Sequence, residues 1–208
     1  MNLEALVEPL HTAVVVSEMQ RGIVGDESPM RELADAAKAG PIDGCVRLVT
    51  AARQAGVRVL YATLAFRADR AGTANNTPLL AVMLRDRTHL TRGTPAAAII
   101  PELEPAPADI VVERLHGVSA FTGTELDPIL RNLGIRTIVP CGVSLNEAIM
   151  GIAIQGADLG YSIALPYDAT IGLPAPFKAD LLTHAYAPLA SVVTVDDVLA
   201  AWERRVEP

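Results

Sequence analysis

Six short apolar runs, separated by stretches of helical periodicity, constrain this chain more than any other feature. They are Thr12 to Ser17 (TAVVVS), Val57 to Leu64 (VRVLYATL), Asp109 to Glu113 (DIVVE), Ile135 to Cys141 (IRTIVPC), Tyr161 to Leu165 (YSIAL) and Ser191 to Val195 (SVVTV). β-Branched residues dominate them, and several are continuously apolar rather than alternating. Strands with that pattern are buried on both faces, which is the habit of parallel sheets. Between the runs, Ile42 to Ala55 carries apolar residues at helical spacing and stops at Gly56. Thr124 with Asp127, Ser144 with Glu147, and Thr194 with Asp197 have capping-box spacing and open three further predicted helices. The first of these ends at Gly134, the second at Gly160, and the third runs through Trp202. Strand and helix in alternation predict a three-layer α/β architecture with right-handed crossovers. The stretch from Arg67 to Pro107 is the least regular and predicts long loops around a short helix near Leu79 to Arg87. No internal repeat or low-complexity linker interrupts the pattern, so one domain over residues 1–208 is expected.

Composition narrows the function classes. The net charge is -7, with no Lys/Arg cluster, which is a poor basis for nucleic-acid or anionic-membrane binding. No apolar run approaches the roughly 18 residues of a membrane span. The opening MNLEALVEPLHT has acids and a proline where a secretory signal needs a basic start and an apolar run. A soluble cytoplasmic protein is expected. The two cysteines, Cys45 and Cys141, make no disulfide framework, and no Cys/His spacing suits zinc. Neither a metal nor a cofactor is expected.

In a parallel α/β sheet, ligands bind beyond the carboxyl ends of the strands. The places to search are Glu18 to Val24, Ala65 to Ala71, Arg114 to Thr122, Gly142 to Ala148 and Tyr167 to Pro174. Glu18 follows the first strand directly. A carboxylate at the mouth of an apolar sheet is partly desolvated, which suits a general acid, although a solvated strand-end Glu has the same spacing. Arg114 and His116 follow the third strand and could orient a carboxylate or bind an anion, or could be a surface Arg and a loop His. Cys141 ends a strand, where a small buried hydrophobe fits better than an activated thiolate.

Four blocks, in order and at consistent spacing from Thr12 to about Ala169, carry a family resemblance: AVVVSEMQ, GTPAAAIIPEL, DIVVERLHGVSAFTGTELDPILRNLGIRTIVPCGVS and GADLGYSIALPYDA. The chain resembles the isochorismatase-like superfamily, which includes cysteine hydrolases such as nicotinamidases and N-carbamoyl amidases, and the isochorismatases themselves. The resemblance implies a Rossmann-like, six-stranded parallel sheet in the order 3-2-1-4-5-6. It also implies a non-proline cis peptide between Val143 and Ser144.

The catalytic positions depart from the family pattern. Where the family has Asp-Met-Gln after the first strand, this chain has Glu18-Met19-Gln20. The family lysine falls on Leu115, and Arg114 takes its place only if the loop holds one extra residue, which Gly117 could absorb. The family nucleophile falls on Ala148. The metal-binding Asp and His of nicotinamidases are missing from ATLAFRADR. The resemblance therefore assigns catalysis to Glu18 and Arg114, with Ala148 at the cysteine position. Expected substrate contacts are Gln20, Phe66 and Arg67 on the first two strand-end loops, and His116, Ser119 and Phe121 on the third. Val143, Ser144, Asn146 and Glu147 are expected contacts before the fourth-strand helix.

Without the sulfur, thioester chemistry on an amide or a nicotinamide is not expected. True isochorismatases also lack the cysteine and cleave a vinyl ether with a carboxylate as proton donor, a task Glu18 could perform. The expected function is hydrolysis of a small, anionic metabolite by acid-type chemistry at Glu18. The alternatives are a pseudoenzyme that binds a small metabolite, or a subunit kept for assembly. A homo-oligomer, dimer or tetramer, is expected, because the aliphatic content suits a buried interface and superfamily members are commonly oligomers.

Overall fold

The computed structural model describes residues 2–204; Met1 and residues 205–208, which the expected domain includes, lie outside the described residues. In chain order the elements are α1 (Leu3–Leu6), β1 (Thr12–Ser17), α2 (Arg31–Lys38), α3 (Pro41–Gln54), β2 (Arg58–Leu64), α4 (Pro78–Met83), β3 (Ile110–Arg114) and α5 (Leu126–Asn132). They continue with β4 (Thr137–Val143), α6 (Ala148–Asp158), β5 (Ser162–Pro166), β6 (Thr170–Ile171), α7 (Phe177–Asp180), β7 (Ser191–Val193) and α8 (Val195–Glu203). The sheet runs β3-β2-β1-β4-β5-β7 and every strand pair in it is parallel. This is the expected order with one addition, the two-residue β6 beside the end of β4, which is too short to leave a hydropathy signal.

Burial on both faces explains the continuous apolar runs. All six residues of β1 and all seven of β4 are buried. Alternate side chains of β1 enter different cores. Val14 and Val16 pack with Leu48 of α3 and Trp202 of α8, whereas Ala13 and Val15 pack with Leu130 of α5 and Ile152 of α6. Those are the two outer layers. At the edge, β3 has exposed Val111 and Glu113 between less exposed neighbours, because one of its faces is open to solvent. Pro140 sits within central β4 without breaking it. There β5 pairs with Thr137 and Ile138 and β6 with Gly142 and Val143, so Pro140 falls in the gap where a missing N–H costs no ladder bond.

Several predicted boundaries shift for local reasons. Thr194 and Asp197 form the expected capping box, and it ends β7 at Val193, because Thr194 is already the cap of α8. Thr194→Ala is expected to lower stability by about 1 kcal/mol, read as a shift of the denaturant midpoint at unchanged slope. The other two boxes do not form. Asp127 instead accepts from Tyr161 Oη at 2.8 Å and from Arg131 Nε at 3.1 Å, and α5 begins at Leu126. Ser144 and Glu147 bond through their side chains, and α6 begins only at Ala148. The short helix near Leu79 is capped by Thr77 and ends at Met83, ahead of a turn held by Asp86 and Thr88. Among the described residues no helix is long and apolar enough to cross a membrane.

Candidate functional site

The carboxyl ends of β1 to β4 open onto a small cavity of about 50 Å³, roofed by α4 and by the segment entering α2. Its polar floor is Glu18 and Arg114; its walls are aliphatic and thioether groups, among them Ile23, Met30, Leu64, Leu80 and Met83. A second, outer cavity shares Met30, Leu33, Leu79, Ser144 and Glu147 with the first, so these residues mark the junction between the two.

Glu18 is the first residue after β1 and adopts φ +53°, a left-handed conformation that is unusual for a residue with a side chain. Its backbone is fixed there by its own N–H to Ala62 O at 2.9 Å and by Gln20 N–H to Glu18 O at 2.8 Å. Such a conformation persists only where the surroundings enforce it. Arg114 closes β3 and reaches across β2 to Glu18, with its side chain only 3% exposed. Its Nη2 donates to Glu18 Oε1 and to Val118 O at 3.1 Å, while Nη1 is buried without a protein partner. Gly117, at φ +82°, provides the turn that brings Val118 back beneath the guanidinium. The residue facing Glu18 is therefore Arg114. The backbone of Leu115 instead accepts from Thr73 Oγ1.

Two effects oppose each other on Glu18. Burial favours the neutral acid, and Arg114 favours the carboxylate. Burial is the larger, the Glu147 carboxylate adds to it, and Glu18 is held above the ordinary carboxylic range.

The peptide between Val143 and Ser144 is cis. Ser144 and Glu147 line both cavities, and Asn146 lines the outer one. Ala148, the first residue of α6, presents a methyl group to the inner cavity. Cys45 and Cys141 are fully buried between α3 and β4 and do not line either cavity. The Cys141 thiol is pushed well up by its hydrogen bond with Cys45 and by burial.

The remaining expected contacts are not brought to the cavity. Gln20 is a buried staple, bonding the backbone N–H and C=O of Leu64 and the carbonyl of Ala97. Phe66 is fully buried with the Arg70 guanidinium over its ring. Arg67 is exposed and paired with Asp69, and His116 is exposed. Ser119 donates to Gln155 Oε1 at 2.7 Å, and Phe121 stacks on Tyr161. Missing from the expected set are the apolar walls from α2, α4 and the preceding loops. The amphipathic pattern of RELADAAK could have found α2, but no sequence spacing places Met30 or Met83 over Glu18.

Residues 12–197 match the isochorismatase domain family. The chain is 32% identical over 209 residues to the ureidoacrylate amidohydrolase RutB of Rhizobium rhizogenes, covering 93% of this chain and 84% of that protein. Among solved structures it is similar to a cysteine hydrolase from Pseudomonas syringae pv. phaseolicola, with TM-score 0.84 and 26% identity, covering 96% of this chain and 95% of the other. It is also similar to N-carbamoylsarcosine amidase from Thermoplasma acidophilum, with TM-score 0.72 and 25% identity, covering 89% and 97%.

Proposed function

This chain belongs to the isochorismatase family, and from that premise we propose that it hydrolyses a small anionic metabolite by acid catalysis at Glu18, without a cysteine nucleophile. The observation that carries this reading is the Glu18 carboxyl, largely buried on the cavity floor and pushed by that burial toward its neutral form. A carboxyl held toward its neutral acid form is suited to donating a proton. Ala148 offers no sulfur at the position that the resemblance assigns to the nucleophile, so covalent thioester chemistry has no starting point there.

An enol ether bearing a carboxylate fits these groups. Glu18 protonates the terminal vinyl carbon, the adjacent carbon becomes an oxocarbenium centre, and water adds to it. The resulting hemiketal collapses to a carbonyl and an alcohol. Arg114, which lines the inner cavity, is the cation that would hold the substrate carboxylate. The aliphatic walls exclude water and strengthen that contact.

The relatives named as ureidoacrylate amidohydrolases define the competing substrate class. The test is to offer the protein the para-nitrophenyl enol ether of pyruvate and, separately, ureidoacrylate, before and after iodoacetamide treatment. Release of nitrophenol and pyruvate, unchanged by alkylation, is the expected result. Ureidoacrylate turnover that alkylation abolishes would assign the chemistry to a cysteine and overturn the proposal. Thermal stabilisation by either compound without turnover would instead identify a binding protein.

A further inference from the structure

We propose that Glu147 is the general base of this site, accepting the proton of the water that attacks the substrate where a protein nucleophile would otherwise stand. The assignment rests on the reading of Glu18 as the acid, and the test below separates the two.

Position is the first argument. Glu147 immediately precedes Ala148 and lines both cavities, at the junction where water from the outer chamber meets a substrate in the inner one. It is exposed, whereas the Glu18 side chain is largely buried, and both carboxyl groups line the inner cavity. Orientation is the second. Ser144 Oγ donates to Glu147 Oε2 at 2.5 Å, and Asn146 Nδ2 donates to Oε1 at 3.1 Å. Both carboxylate oxygens are held by donors, which fixes the plane of the group and leaves acceptor capacity for a water molecule. Electrostatics is the third: the Glu147 charge is felt at Glu18 and favours its neutral form.

The proton account closes. Glu18 gives its proton to the vinyl carbon. Water bonds to the oxocarbenium carbon and passes a proton to Glu147. The hemiketal hydroxyl then returns a proton to Glu18 as the carbonyl forms. Glu147 gives its proton to the departing oxygen as the carbon–oxygen bond breaks. Both groups end as they began, and one water is consumed.

The probe is the para-nitrophenyl enol ether of pyruvate, with Glu147→Gln, Glu147→Ala and Glu18→Gln compared with the wild type. Glu147→Gln keeps the shape of the side chain but cannot take a proton. A fall in kcat of about 100-fold or more is expected, with KM changed by less than about threefold. In Glu147→Ala, added formate is expected to restore part of the lost kcat. Melting temperatures of both variants should match the wild type, because the side chain is exposed. Glu147→Gln with wild-type kcat, beside an inactive Glu18→Gln, would overturn the base and leave the acid standing. Loss of activity without formate rescue would make Glu147 a binding group and also overturn the base. No turnover by the wild type, or full activity in Glu18→Gln, would overturn the acid reading and the base with it.

Discussion

Glu18→Gln is expected to reduce kcat on an enol-ether carboxylate by about 10² to 10⁴, the range contributed by a positioned general acid. The amide retains the length of the side chain and can still meet Arg114, so binding should change little. It cannot donate an acid proton. On the proposed mechanism the active form is the neutral acid, and burial raises the Glu18 pKa above its ordinary value of 4.5. The kcat profile should therefore decline as pH rises through that elevated pKa, and this limb should be absent from any residual Glu18→Gln activity. Stability carries the same signature. A carboxyl raised on folding binds its proton more tightly in the native state, so its contribution is fully present below 4.5 and is lost as pH rises through the folded-state value. Denaturant midpoints of the wild type should fall relative to Glu18→Gln across that window. Parallel midpoints would show that Glu18 is ionised in the folded protein and would remove the acid.

Gly142→Ala is expected to destabilise the protein by about 3 kcal/mol or more, from overpacking together with an unfavourable backbone conformation. Gly142 lies on β4 opposite Ser17 of β1, at φ +102°. An added Cβ would stand 2.3 Å from Ser17 O and 3.0 Å from Met19 Cγ. The first of these is backbone and cannot rotate away. It also belongs to the residue before Glu18, and Ser17 Oγ is tied to Val143 O at 2.8 Å. Relief of the clash must move either Glu18 or the turn that carries Ser144 and Glu147. Activity should fall by more than the loss of folded protein accounts for. A denaturant midpoint within about 1 kcal/mol of the wild type would show that the two strand ends separate easily and that the site is not held rigidly by them.

The layered fold was legible because its cause is repetitive. Central β1 and β4 are buried on both faces, so their residues are apolar without interruption, and Gly56, Gly134 and Gly160 mark where α3, α5 and α6 give way to the next strand. Capping signals were less dependable. Thr194 and Asp197 bond each other and form their box, whereas Asp127 finds Tyr161 and Glu147 turns its carboxylate to the Ser144 hydroxyl. The same local pattern gave three outcomes because Asp127 is drawn to the distant Tyr161, whereas Glu147 takes the hydroxyl of its own box partner in place of a backbone N–H.

Sequence by itself determined the buried strands and their parallel arrangement through short-range periodicity, and the family resemblance implied their order. It also placed Glu18, Arg114, Val143, Ser144, Glu147 and Ala148 at the strand ends and the start of α6 that line the cavity. Only the tertiary structure decided that Arg114 meets Glu18 across β2, 96 positions away, and that Gln20, Phe66, Ser119 and Phe121 serve the scaffold. Only the tertiary structure set Met30, Leu80 and Met83 as the apolar walls that close over the carboxyl group. The physical reason is the range of the forces involved. Burial periodicity is written into consecutive residues, but the desolvation that holds Glu18 toward its neutral form is the summed effect of side chains from strands, loops and helices that meet only when the chain is folded.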